Sequence, residues 1–162
     1  KTINLTTKIS DSPSRFKKKL LDLNKGEAVY AKNIRGELTV KDSQKKHLFI
    51  AGGIGITPFR AIIWDQILGN QKPDINLLYA NTAKEIAFKK ELDNFATQND
   101  RLNVKYFIEP ERISEQDILD CADKNSIFMI AGPPKMVEYY ESLLIRLKVS
   151  KDNIKADPFW GY

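Results

Sequence analysis

Two hydrophobic rhythms divide this chain. Near its start, Ile3, Leu5, Thr7 and Ile9 alternate with polar neighbours, the period of two expected of a half-buried strand. Ser14 stands ahead of Phe16, Leu20 and Leu23, which share one face of a short predicted helix that Ser14 would cap. Residues 27–32 and 37–40 read as further strands, with Gly36 in the turn between them, and residues 41–46 are wholly polar and read as a linker.

From His47 the pattern changes. Residues 47–51, 75–80, 104–108 and 127–131 are short apolar runs, read as buried strands. Between them lie helical spacings: Phe59, Ile62, Ile63 and Ile67, ended by Asn70; then Phe88, Leu92, Phe95 and Ala96; then residues 113–121. A last helix carries Met136, Tyr140, Leu143, Leu144 and Leu147 on one face. Apolar strands alternating with helices predict a parallel sheet covered on both faces, and right-handed crossovers make it a doubly wound α/β domain.

Two strand ends contain glycine. In Ala51-Gly52-Gly53-Ile54-Gly55-Ile56-Thr57-Pro58 a buried strand runs straight into three glycines and then a helix. Glycine lets backbone approach a ligand with no Cβ in the way. Thr57 is expected as N-cap and Pro58 as the first helical residue, leaving free N–H groups and the positive end of the helix dipole for a pyrophosphate. The G-x-G-x-x-G pattern itself fails, because Pro58 takes its third glycine. The second end is Ala131-Gly132-Pro133-Pro134-Lys135-Met136. With a 3-2-1-4-5 strand order the first and fourth strands are neighbours at the switch point, and one extended dinucleotide would touch both loops.

Composition narrows the classes. The 162 residues are 42% apolar and 29% charged, enough for a packed core and for solubility. No apolar run approaches the roughly 20 residues of a membrane span, and the first residues lack a signal-peptide apolar region. One cysteine, Cys121, excludes an internal disulfide and a Cys-ligated cluster within the chain, and fits a reducing, cytoplasmic compartment. Cys121 reads as a small packed residue, and His47, the single histidine, has no second metal ligand near it in sequence. Residues 1–46 carry 12 Lys/Arg against 5 Asp/Glu, whereas residues 47–162 carry 14 against 16. The run Arg15-Phe16-Lys17-Lys18-Lys19 reads first as a solvated helix face; a phosphate-bearing ligand or acidic protein are the sharper readings. Nucleic acid is disfavoured, since no zinc-finger spacing or aromatic RNA-binding motif accompanies the charge.

Taken together, the glycine loops, Leu78-Tyr79-Ala80-Asn81-Thr82 and the tail Asp157-Pro158-Phe159-Trp160-Gly161-Tyr162 resemble the ferredoxin–NADP reductase superfamily. The resemblance implies a five-stranded 3-2-1-4-5 NAD(P)-binding domain over residues 46–162, preceded over residues 1–42 by the last part of a flavin-binding β-barrel. It implies hydride transfer between NAD(P)H and FAD, with onward electron transfer to an acceptor. Gly52, Gly53, Gly55, Thr57 and Pro58 match the pyrophosphate loop; Gly132, Pro133, Pro134 and Met136 match the loop flanking the nicotinamide. Ser14 is similar to a residue that touches the flavin pyrophosphate. Asp157 and Phe159 resemble residues beside the flavin ring, where the reaction occurs, and Tyr162 is grouped with them; a tail that merely anchors on the domain is the alternative.

Three departures qualify the resemblance. The flavin-ring motif Arg-x-Tyr/Phe-Ser is missing and is expected upstream of Lys1, so FAD should bind this chain weakly or not at all. Ala131 stands where many members have cysteine, and Asp11 where the flavin loop has glycine. NAD and NADP both stay open: neutral Asn81 with Lys84 nearby leans towards a 2′-phosphate, yet Lys84 reads equally well as a surface residue. The positive first segment suits an acidic electron carrier such as ferredoxin or flavodoxin. The other functional class is a non-catalytic nucleotide-binding or docking module that has lost its flavin.

Overall fold

The computed structural model describes residues 3–32 and 36–160. Two compact units divide the chain, Lys1–Arg35 and Gly36–Tyr162. The first holds α1 (Arg15–Leu21), and as expected Ser14 caps it, its Oγ accepting the Lys17 N–H at 3.3 Å. No residue of α1 is buried. The strands read at residues 3–9 and 27–32, and the one at 37–40, form no ladder. An alternating segment becomes a strand only where a neighbouring edge takes its N–H and C=O groups, and these find none among the described residues. Ile3 and Leu5, read as one buried face, are 88% and 67% exposed.

The second unit is built on five parallel strands: β1 (His47–Gly52), β2 (Ile75–Asn81), β3 (Leu102–Ile108), β4 (Ile127–Gly132) and β5 (Ile154–Pro158). Their order is β3-β2-β1-β4-β5, the expected doubly wound arrangement. The crossovers run through α2 (Ile56–Leu68), α3 (Lys89–Gln98), α4 (Glu115–Cys121) and α5 (Pro134–Arg146). β1 lies at the centre and all six of its residues are buried, which is why it reads as an unbroken apolar run.

Alternate residues feed two cores. Leu48, Ile50, Phe128 and Ile130 face one side, where Ile118 of α4 and Val137, Tyr140, Leu143 and Leu144 of α5 cover them. Phe49, Ala51, Met129 and Ala131 face the other, with Phe59 and Ile63 of α2 and Leu92 and Phe95 of α3. Phe49 stacks on Phe59 at 4.6 Å between ring centroids. Each such fully buried side chain contributes roughly 1.5–3 kcal/mol. The sequence pattern placed the third helix from residue 113, but α4 starts at Glu115, because Ser114 and Asp117 form a reciprocal capping box. Leu38 and Val40 pack against the second core, and Lys155 Nζ donates to the Thr39 carbonyl at 3.4 Å. This segment, read as the end of the first domain, contributes to the second unit.

His47 opens β1 with 1% of its surface exposed, and its Nδ1 has no hydrogen-bond partner. Burial lowers its pKa from the ordinary 6.5, against the pull of the Lys45 backbone and of Asp42 and Asp74. The folded state therefore binds fewer protons than the unfolded one, and stability present above about pH 6.5 is lost as pH falls. Thermal melts from pH 7 to pH 5 should show a falling Tm, and His47→Gln should flatten that slope. An unchanged slope in the variant would remove His47 as its origin.

Candidate functional site

β1 and β4 run side by side, Ala51 opposite Ala131, so both glycine loops leave the sheet at the same carboxyl edge. They interlock. A Cβ on Gly52 would collide with Met136 Sδ and lie 3.0 Å from Pro133 Cδ. One on Gly55 would collide with the Ala131 carbonyl and lie 2.7 Å from Gly132 Cα. One on Gly132 would sit 3.1 Å from the Gly52 backbone, and Gly132 itself has φ +152°. Gly53 differs: it faces open space but adopts φ +52°, a left-handed conformation that L side chains rarely take.

The helix after the first loop starts earlier than the sequence suggests. Gly53–Gly55 forms a 3-10 turn, α2 begins at Ile56, and its cap is Gly55 with no side-chain bond. Thr57 is thus not the N-cap, nor Pro58 the first helical residue; they are the second and third. The reason is the close approach of Gly55 to Ala131, which starts the winding before Thr57. Pro58 still lies in the first turn, where its missing N–H costs nothing. Pro134 does occupy the first turn of α5, after Pro133 as cap. Neither helix has an acidic residue in its first turn, so both present positive dipole ends at this edge.

The remaining predicted residues fall in three places. Asn81 ends β2; its Nδ2 is buried without a partner, and so is the hydroxyl of fully buried Tyr79 two residues earlier. Burial pushes the Tyr79 phenol up, while the nearby Asn81 side chain moderates the rise without completing a well-formed hydrogen bond. Lys84 is exposed in the loop beyond. Asp157 pairs with Ala131 across β4–β5, and the Phe159 N–H donates to the Gly132 carbonyl at 2.8 Å, which brings the tail to the second loop. Burial raises the Asp157 carboxyl pKa. Ser14 belongs to the first unit, its hydroxyl engaged in capping α1. Tyr162 lies outside the described residues.

Sequence reading missed one cluster. Arg60 of α2 donates through Nε and Nη2 to Glu91 Oε2 and Oε1 at 2.7 and 2.8 Å, and its guanidinium carbon lies 4.6 Å over the Phe88 ring. Arg60 sits among the apolar α2 positions, and only its helical neighbourhood to Phe59 hinted at it. Cys121 is half-buried with its thiol pKa pushed up by burial, as a packing residue should be. Among the described residues no cluster could hold a metal ion, and no helix is long and apolar enough to cross a membrane.

Residues 49–142, the span holding both glycine loops, match the family described as oxidoreductase NAD-binding domain. The chain belongs to that family. Membership agrees with the kinship to the ferredoxin–NADP reductase superfamily read from the motifs. One relative, NADH-cytochrome b5 reductase 1 of Candida albicans, is 34% identical over 79% of this chain and 49% of its own length. Another, a component of the Na(+)-translocating NADH-quinone reductase of Methylococcus capsulatus, is 27% identical over 88% of this chain and 39% of its own. The chain thus spans about half or less of these curated relatives. The flavohemoglobin of Malassezia yamatoensis shares the fold, with a TM-score of 0.76 at 19% identity over 94% of this chain and 42% of that one.

The site suits the dinucleotide that names the family. Gly52, Gly55 and Gly132 form a cradle that any Cβ would disturb, helix N-termini from two elements meet there, and Asn81 keeps a buried donor unspent. A flavin fits less well: the described residues of the first unit form no ladder, although the Ser14 hydroxyl, which accepts the capping bond, keeps its own O–H to donate.

Proposed function

We propose that this chain is the NADH-binding module of a flavin-dependent oxidoreductase. The observation that carries the reading is the interlock of the two glycine loops at the switch point, where open α/β sheets take their ligands. The N–H groups at the start of α2 hold the pyrophosphate, with Gly53 letting the backbone turn towards it. Pro133 and Met136, packed on Gly52, shape the nicotinamide side of the cradle. Asp157 and Phe159 close that side from β5. When bound, the nicotinamide supplies a hydride, and no general acid or base of this chain is needed for that transfer. Lys84 and Asn81 flank the adenosine end.

NADH rather than NADPH is the donor in this reading, because the curated relatives named above, and nitrate reductase [NADH] 2 of Arabidopsis thaliana, carry NADH in their names. The flavin partner is supported by the flavohemoglobin of the same fold, which holds FAD and heme. The acceptor is a carrier of negative surface, steered by the basic first segment.

With FAD added, this chain should retain well under one flavin per protein after gel filtration, read from the flavin absorbance band. Stoichiometric retention would show that the first unit assembles a flavin site without a barrel ladder. The function itself is tested by mixing the whole protein that contains this span with FAD, NADH and ferricyanide. Dye reduction above the protein-free rate supports the reading, and NADH binding with no turnover supports a docking module.

A further inference from the structure

We propose that Arg60, Phe88 and Glu91 form a clamp that positions the β2–α3 loop, residues 82–88, against the adenosine end of the dinucleotide. The inference rests on the NADH reading and names residues that reading does not use. Arg60 stands on the second turn of α2, the helix whose N-terminus faces the first glycine loop. Its forked bond to Glu91 joins α2 to α3, and both side chains are about three-quarters buried, at 23% and 25% exposure. Planar, bidentate Arg–carboxylate pairing fixes orientation as well as distance. The Phe88 ring lies under the same guanidinium at 4.6 Å, and the Trp64 ring centroid is 5.8 Å from its carbon.

Phe88 is the last residue before α3 and adopts φ +62°, a left-handed conformation that a bulky residue keeps only where its surroundings hold it. Ile86 and Phe88 pack on the core, and at the other end the Asn81 carbonyl accepts the Glu109 N–H at 3.0 Å. Between these anchors residues 82–85 are exposed, with no side-chain hydrogen bond among the described residues. The clamp therefore determines where this short span stands. In doubly wound sheets the residues following the second strand read the adenosine ribose. Arg60 acts through the loop: two of its five N–H donors go to Glu91, whose carboxylate offsets its charge.

The test uses Arg60→Gln, Glu91→Gln and the double variant, with NADH affinity read by fluorescence titration and, without nucleotide, exchange of the Lys89 and Leu92 amides, which donate to the Ile86 and Phe88 carbonyls. Each single change should raise the NADH Kd about tenfold, and the double variant should be no worse than either, since both break one clamp. Exchange at Lys89 and Leu92 should quicken in all three. Phe88→Ala should match them, whereas Phe88→Tyr, which keeps the ring, should bind as the parent does. Two results overturn the proposal: Glu91→Gln binding as well as or better than the parent, which would make Arg60 a direct ligand, or unchanged exchange at Lys89 and Leu92. If the parent itself binds no NADH, the functional reading fails and the adenosine role with it. Exchange at Lys89 and Leu92 would still report separately on whether the clamp holds the α3 end of the loop.

Discussion

Gly55→Ala should destabilise the protein by about 3 kcal/mol and abolish detectable NADH binding. The new methyl would drive into the Ala131 carbonyl, and Gly132 Cα stands only 2.7 Å away. Those atoms are backbone on an inner strand that is buried from Phe128 to Gly132, so no side chain can swing aside. Relief requires α2 or the β4 end to shift, which opens the cradle formed by both loops. A Tm loss of roughly 6–12 °C follows for a chain of this size. Gly53→Ala is the contrast. Its Cβ would meet open space, so only the left-handed backbone resists it, at about 1–2 kcal/mol. Equal, small effects of the two changes would mean that the loops are not in register as described.

NADH should bind at least about tenfold more tightly than NADPH in fluorescence titration of this chain. Selecting a 2′-phosphate needs an uncommitted cation near the end of β2. Arg60 is given to Glu91, and Lys89 is paired with Asp93 at 2.7 Å. Lys84 is exposed and stands next to Glu85, whose opposite charge offsets its field. Lys84→Glu should widen the preference by raising the Kd for NADPH more than that for NADH. A parent that prefers NADPH would restore the 2′-phosphate lean that Asn81 and Lys84 suggest in the sequence.

The legible parts of this fold are those where burial is complete. β1 and β4 are enclosed on both faces, so their sequences are apolar without interruption, and the two glycine ends stand out against them. β5 was hidden because an edge strand is half-buried throughout, and Ile-Lys-Ala-Asp-Pro carries no pattern. The alternation at residues 3–9 misled because a period of two records which face would be buried, not whether a partner edge is present. Thr57 misled as a cap because capping preference is local, whereas the start of α2 is set by Gly55 lying against a strand distant in sequence. The Arg60 clamp joins residues 31 apart, and no local spacing announces such a pair.

The central claim is that both glycine loops hold one dinucleotide. Amide chemical shifts of the isotope-labelled chain titrated with NADH test it most directly. Coupled shifts are expected at residues 52–57 and at Gly132, Lys135 and Met136, with smaller ones at 81–85. The opposite edge of the sheet carries an open polar depression of about 650 Å³ lined by Lys46, Asp74, Asn76, Arg101 and Asp120, among others. Shifts confined to that depression, or to one glycine loop alone, would contradict the claim.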